Sequence, residues 1–197
     1  RVVTKVEGGA HPAVRLATGE RFEADAVVLA TGAYSLQLAR ELGCRLPIQP
    51  GKGYHRDLEF GEGSRPPLEA ACVLGETSVF CTPMSGRLRL AGTLEFSGLN
   101  HRMHPSRLAQ LTASAEQYLG DIGPARVTSE WCGLRPCTPD GLPVVGRLPG
   151  QTKVIAATGH AMTGLTLGPI TGSLVADLVT GATPPSTEVT ALAPARF

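Results

Sequence analysis

Ala26-Val27-Val28-Leu29-Ala30-Thr31-Gly32-Ala33-Tyr34-Ser35 is the stretch that decides the fold. An apolar run without alternation, Ala26 to Ala30, suits a strand buried on both faces, the habit of parallel sheets in α/β domains. Thr31-Gly32-Ala33 ends that strand, and Tyr34 to Leu42 then carries apolar residues at helical spacing as far as Gly43. In open α/β sheets, ligands sit beyond the carboxyl ends of such strands. Gly32 would let the backbone come close to a ligand there. From this stretch alone, a plain strand-to-helix turn reads equally well.

Upstream, Val14-Arg15-Leu16 and Arg21-Phe22-Glu23 flank Thr18-Gly19-Glu20 and predict a β-hairpin. Downstream, Pro47 to Pro50 breaks the pattern and a second β-rich region begins. Tyr54 to Phe60 reads as a strand, and Ser78 to Met84 with Arg87 to Phe96 as a hairpin about Ser85-Gly86. Pro105 suits the first turn of a helix carrying Leu108, Leu111, Ala115 and Leu119 to Gly120. Val127 to Leu134 predicts another strand, and Pro136 to Gly150 mostly turns. Val154-Ile155-Ala156-Ala157 is a short buried strand. A long helix follows from near Thr166 to Gly181, with Leu167, Ile170, Leu174, Val175, Leu178 and Val179 on one broad face. The tail after Pro184 is expected to be loose. No internal repeat is present.

Composition narrows the function classes. The 197 residues are 42% apolar and 18% charged, with a formal net charge of +1, an ordinary globular balance. No basic stripe points to nucleic acid. The longest apolar stretch, Leu165 to Val179, is interrupted by Gly168, Pro169, Gly172 and Asp177, so no span of the ~18 residues a bilayer requires is present. Peripheral membrane contact stays open. The five cysteines form no Cys-x-x-Cys pair and read as buried thiols of a reducing compartment. No metal set is expected. The chain opens on Arg1 without a signal peptide and reads as a fragment or a processed chain in the cytoplasm, with attachment at the inner membrane as an extension of that reading.

Two further segments carry chemistry. Trp131-Cys132-Gly133-Leu134-Arg135-Pro136 places an arginine at the end of an apolar strand, where it must find an anion or reach solvent. Its planar fork suits a carboxylate, either of a substrate or of a structural ion pair. Ala157-Thr158-Gly159-His160-Ala161-Met162-Thr163-Gly164-Leu165-Thr166-Leu167 leads from a strand through glycines into the long helix. The start of that helix exposes backbone N–H groups and the positive dipole end, a site for an anion or developing negative charge. An ordinary crossover with glycines for tight packing fits as well.

Taken together, the segments resemble the family of FAD-dependent amino-acid oxidoreductases that includes D-amino-acid dehydrogenase, glycine oxidase and sarcosine oxidase. The resemblance is carried by Leu46-Pro47-Ile48-Gln49-Pro50-Gly51-Lys52-Gly53-Tyr54, by Gly133-Leu134-Arg135-Pro136, by Thr138-Pro139-Asp140-Gly141-Leu142-Pro143, and by the Thr158-Gly159-His160 loop with its helix. In order and spacing these cover roughly residues 14–181, nearest to the D-amino-acid dehydrogenase pattern. The resemblance implies that a hydride leaves the amine-bearing carbon for flavin N5, after which the imine hydrolyses. It implies that Arg135 binds the substrate carboxylate and that Tyr54 is a second catalytic, pocket-facing residue, with His55 a weaker pocket residue. It places Thr31 and Gly32 near the adenosine and pyrophosphate of FAD. It places Thr158, Gly159, His160, Met162, Thr163, Gly164, Leu165 and Thr166 along the flavin N1 and C2 carbonyl edge. His160 is read as a loop residue rather than an acid or base.

One departure from the family pattern stands out. The Gly-x-Gly-x-x-Gly turn that holds the pyrophosphate is absent; Gly51-Lys52-Gly53 and Gly61-Glu62-Gly63 lack the third glycine. The resemblance therefore implies the C-terminal part of a two-domain enzyme of mixed α+β and α/β class. Residues 1–46 and 137–181 would belong to an incomplete Rossmann-like FAD domain, 47–136 to a mainly antiparallel substrate domain, and 182–197 to a tail. Such a chain would bind FAD weakly or not at all by itself and would need the missing N-terminal segment, on the same polypeptide or on a partner subunit. Its substrate would be a small amino acid or amine. The alternatives are a secondary-amine oxidase acting on glycine, sarcosine or a proline derivative, and a non-catalytic subunit of a hetero-oligomeric amine dehydrogenase.

Overall fold

A computed structural model describes residues 1–61, 67–120, 122, 124–182 and 190–197. Glu62 and Gly63 of the second glycine pair, and residues 183–189 of the tail, lie outside the described residues. In chain order the elements are β1 (Val3–Glu7), β2 (Ala13–Leu16), β3 (Arg21–Glu23), β4 (Val27–Leu29), α1 (Ser35–Glu41), β5 (Gln49–Phe60), β6 (Cys72–Leu74), β7 (Val79–Met84), β8 (Arg87–Glu95), α2 (Pro105–Leu119), β9 (Ala125–Cys137), β10 (Val144–Arg147), β11 (Val154–Thr158) and α3 (Gly164–Thr180). They group into two compact units, the first made of Arg1–Pro50 with Arg135–Phe197 and the second of Gly51–Leu134.

The first unit holds two three-stranded sheets, β1-β2-β3 and β10-β11-β4. The first is an antiparallel meander whose hairpin turns at Gly19, φ +90. In the second, β11 runs parallel to β4, with Val154 opposite Val27 and Ala156 opposite Leu29, while β10 is antiparallel to β11. The reading of Ala26 to Ala30 as a strand covered on both faces is corrected here. β4 is only Val27–Leu29; Val27 and Leu29 are buried and Val28 is 38% exposed. β4 stands at the sheet edge, and among the described residues only one of its faces is covered. The core joins Val6, Val27, Leu29, Leu38, Leu46, Ile48, Val144, Leu148, Val154 and Ala156.

A second correction concerns residues 136–150. β9 runs on to Cys137, and Val144–Arg147 form β10, with Val144 and Val145 fully buried. Pro136 is tolerated because β9 is an edge strand, where no ladder donor is needed on one side. The tail too differs from a loose end. Leu192 accepts a hydrogen bond from the Val145 backbone, and Pro194–Arg196 form a 3₁₀ turn. Arg196 then grips Asp140 through Nε at 2.7 Å and Nη2 at 3.2 Å.

The second unit is a five-stranded sheet, order β6-β7-β8-β5-β9, with α2 packed on one face. Alternation decides which side chains face α2. Tyr54 and Leu58 of β5, Val79 and Cys81 of β7, and Leu88 and Leu90 of β8 meet Leu108, Leu111 and Ala115 of α2 in a closed core. Gly92 of β8 leaves room for that helix, since a Cβ there would lie 2.9 Å from Leu111 Cδ2. On the opposite face Asp57, 2% exposed, takes a bidentate grip from Arg89 at 2.8 and 2.9 Å. That grip holds its carboxyl below the usual range. Among the described residues, no helix is long and apolar enough to cross a membrane.

Candidate cofactor and substrate site

In the first unit, two of the singled-out segments meet at the carboxyl ends of the paired parallel strands. β4 leads through Thr31 into a 3₁₀ turn at Gly32–Tyr34, and β11 leads through Thr158 into Gly159. Thr158 is buried, and its hydroxyl donates to the Gly32 carbonyl at 2.9 Å. Thr31 and Ser35 share a hydroxyl–hydroxyl bond of 2.9 Å across the same turn. Gly32 takes φ +56, which favours glycine, and a Cβ built on it would meet nothing within 4 Å. The space beside Gly32 is therefore open. Gly159 is different: its φ is +79, and a Cβ there would come within 2.8 Å of Thr138 Cγ2 and 3.2 Å of the Val144 nitrogen. Gly159 lets the loop after β11 pack against the Thr138–Val144 turn.

That loop is held in shape by its own backbone. Ala161 stands at φ +45, an uncommon setting for a residue with a side chain, and its N–H donates to the Pro136 carbonyl at 3.1 Å. The N–H and the hydroxyl of Thr163 both donate to the His160 carbonyl at 2.8 Å. The Thr163 hydroxyl is thus turned away from the first turn of α3 and gives no side-chain cap. Backbone N–H groups at the start of a helix have no partner within the helix, so this end offers donors and positive dipole. The residues around it, Met162 at 70% and Leu165 at 96% exposure with Thr163, Gly164 and Thr166, all face outward.

His160 does not join that outward group. Its Nε2 lies 2.9 Å from the Thr171 hydroxyl, and burial pushes its pKa down, favouring the neutral ring. The imidazole ties the loop to α3. Arg135, near the end of β9, is half-buried in the same unit, and desolvation disfavours its charged form, with Cys137 acting in the opposite direction. Arginine stays protonated even so, and a partly desolvated guanidinium interacts more strongly with an anion. A groove of about 900 Å³ along α1 and the first residues of the chain includes Thr31 but none of Thr158 to Thr166, so the site just described does not depend on it.

Tyr54 and His55 lie in the second unit and must be judged there. Tyr54 is fully buried; its hydroxyl donates to Glu95 Oε2 at 2.8 Å, and burial followed by Glu95 pushes its pKa up. This corrects the expectation of a pocket-facing tyrosine, because strand alternation sends Tyr54 into the core with Leu58. His55 faces the opposite side and stacks flat on Trp131, ring centroids 3.8 Å apart. No motif marks the charged cluster beneath Tyr54. Lys52, 1% exposed, donates to Glu95 at 3.2 Å, to Asn100 Oδ1 at 2.6 Å and to the Arg102 carbonyl at 2.9 Å. The available signal was a lysine at even spacing from Tyr54 and Leu58, on a face that had to be buried.

A family model described as FAD dependent oxidoreductase matches residues 1–178. The D-amino acid dehydrogenase of Cereibacter sphaeroides is 38% identical over 181 residues, 91% of this chain and 41% of that protein. That of Agrobacterium fabrum is 37% identical over 180 residues, 91% of this chain and 42% of that protein. Among solved structures, glycine oxidase from Geobacillus kaustophilus superposes with a TM-score of 0.87 at 28% identity, covering 99% of this chain and 52% of that one. L-proline dehydrogenase from P. horikoshii shares the fold, with a TM-score of 0.80 at 20% identity. The chain thus spans about two fifths of the length of these curated relatives, 41% and 42%.

Proposed function

The chain belongs to the family of FAD-dependent oxidoreductases, and from that premise we propose that it is a portion of an enzyme that oxidises D-amino acids at the carbon bearing the amine. The observation that supports this most directly is the 3.1 Å hydrogen bond from the Ala161 N–H to the Pro136 carbonyl. It fastens the loop before the open end of α3 to the residue next to Arg135, so an anion-binding helix start and a carboxylate-binding arginine are fixed to one another within a single unit.

The residues present fit FAD. The start of α3 carries no side-chain cap, and the space beside Gly32 is open. Bound FAD would supply the two-electron acceptor of the reaction. The N–H groups of the first turn of α3 would stabilise negative charge on a group bound there. Thr158, locked onto Gly32, holds the two strand ends in register. Arg135 takes the substrate carboxylate in its fork and so sets which face of the α-carbon is presented. Tyr54 acts only through the core of its own unit, and His160 holds the loop. The remaining length found in the relatives, on the same polypeptide or a partner subunit, supplies the pyrophosphate-binding glycine turn and covers the apolar face of α3.

A second reading is a glycine-, sarcosine- or proline-type secondary-amine oxidase, favoured by the close superposition on glycine oxidase. The retained Arg135 speaks against a non-catalytic subunit. The test joins the chain to its upstream sequence and follows flavin absorbance anaerobically while D-amino acids, glycine, sarcosine and proline derivatives are added. Bleaching by D-amino acids is expected, and Arg135→Ala should lower the second-order rate of bleaching on the order of 10²–10³-fold, the cost of losing one partner of a desolvated ion pair. Bleaching by the secondary amines alone would move the assignment to the second reading, and no bleaching by any of them would remove the amino-acid assignment.

A further inference from the structure

Cys72 and Cys81 face each other directly across β6 and β7. Directly opposed residues of an antiparallel pair have Cα atoms about 4.5–5.5 Å apart. That falls inside the window of roughly 4.4–6.8 Å that a disulfide bridges without backbone movement. Both side chains point to the α2 face, Cys81 inside the core and Cys72 partly buried against it. Burial, and after it the neighbouring Cys72, pushes the Cys81 thiol up to about 11. Of the other cysteines, Cys44 donates to the Leu42 and Pro149 carbonyls, and Cys132 lies against His101. β6 is the edge strand of its sheet, so Cys72 is the member of the pair that a small solute can reach.

We infer that Cys72 and Cys81 form a redox-active dithiol that a peroxide closes to an intrachain disulfide, independently of the reaction proposed above. The thiolate of Cys72 attacks one peroxide oxygen; the O–O bond breaks, an S–O bond forms, and hydroxide leaves and is protonated. The Cys81 sulfur then displaces the oxygen from Cys72, giving up its proton as the S–S bond forms and water leaves. Two thiols lose two electrons and two protons, and hydrogen peroxide becomes two waters. A thiol reductant reverses the step. The bond fastens the edge strand β6 to β7 under α2.

The sequence makes the test clean. No lysine or arginine lies between Arg65 and Arg87, so one tryptic peptide contains both cysteines, whereas cleavage after Glu76 separates them. The protein is treated with hydrogen peroxide, remaining thiols are alkylated, and peptides are weighed. The expected tryptic peptide is unalkylated and lighter by two hydrogens, and after cleavage at Glu76 its halves stay linked until reduced. In Cys81→Ser the link should vanish and Cys72 should be captured by a sulfenic-acid reagent. Alkylation of both cysteines in the wild-type protein after excess peroxide, or a link from Cys72 to any other thiol, overturns the inference without reference to the variant's folding.

Discussion

α2 and α3 are of similar length, 15 and 17 residues, and α3 is the more apolar. Yet α2 buries Leu108, Leu111, Ser114 and Ala115, while no residue of α3 is buried. α3 packs on β10 and β11; its Leu167, Leu174, Val175 and Leu178 reach half-burial, while Leu165, Ile170 and Val179 stay outside. The difference lies in what each helix meets. The second unit offers α2 an entire alternating sheet face, whereas the first offers α3 two short strands. Apolarity thus measures how much a helix face gains from being covered, and topology decides whether the cover comes from the same stretch of chain.

The comparison breaks most visibly in the core of the second unit. Leu111→Ala should destabilise that unit by about 2–5 kcal/mol, read as a lower denaturant midpoint, because a closed core cannot collapse around the void. Ile170→Ala, at 56% exposure, should change the stability of the chain alone by less than about 0.5 kcal/mol. Joined to its upstream sequence, the same substitution should cost about 1–3 kcal/mol if α3 becomes covered. An equal, small effect in both forms would leave α3 a surface helix and remove the proposed cover.

A smaller effect separates the two units by pH. The Ser97 and Tyr54 hydroxyls and the Lys52 ammonium hold Glu95 at about 2, against a usual value of 4.5, with burial opposing them. A carboxyl lowered in the folded state contributes stability that is fully present above 4.5 and fades as pH falls toward 2. Glu95→Gln should cost roughly 1–3 kcal/mol at neutral pH and flatten the acid limb of the stability profile. Tyr54→Phe should cost roughly 1 kcal/mol, the worth of one hydrogen bond. A Glu95→Gln profile that still falls as steeply between pH 4.5 and 2 would assign the acid loss elsewhere, to Asp140 and Glu7, whose carboxyls are also held near 2.

What could be read from the sequence was whatever a local pattern encodes. The strand, turn and helix from Val27 to Glu41 follow from apolar residues broken by Gly32, and the loop from Thr158 to Gly164 from glycines ahead of a helical run. The hairpins at Gly19 and Gly86 announce themselves by the left-handed φ only glycine takes easily. At Tyr54 alternation overrules the motif, because the residue shares the buried face of β5 with Leu58. β10 was hidden because Val144 and Val145 sit between Pro143 and Gly146, and only their partners in β11 make them a strand. The ties of Thr158 to Gly32 and of Lys52 to Asn100 span 126 and 48 residues, and no local pattern records them.

The tail is the weakest test and the most local one. Arg196 reaches Asp140 with two nitrogens and donates to the Leu142 and Leu192 carbonyls, and its guanidinium lies 4.3 Å from the Phe197 ring. The grip closes the Thr138–Pro143 turn, against which Gly159 is packed. Being near the surface, with Asp140 at 34% side-chain exposure, the ion pair is screened and contributes on the order of 1 kcal/mol. Arg196→Ala should therefore shift global stability little, but it should speed amide exchange at Val145, whose N–H is bonded to Leu192. If exchange at Val145 is unchanged, the tail rests on β10 through Leu192 and Pro194 alone, and the arginine contributes nothing to holding the turn that braces the Gly159 loop.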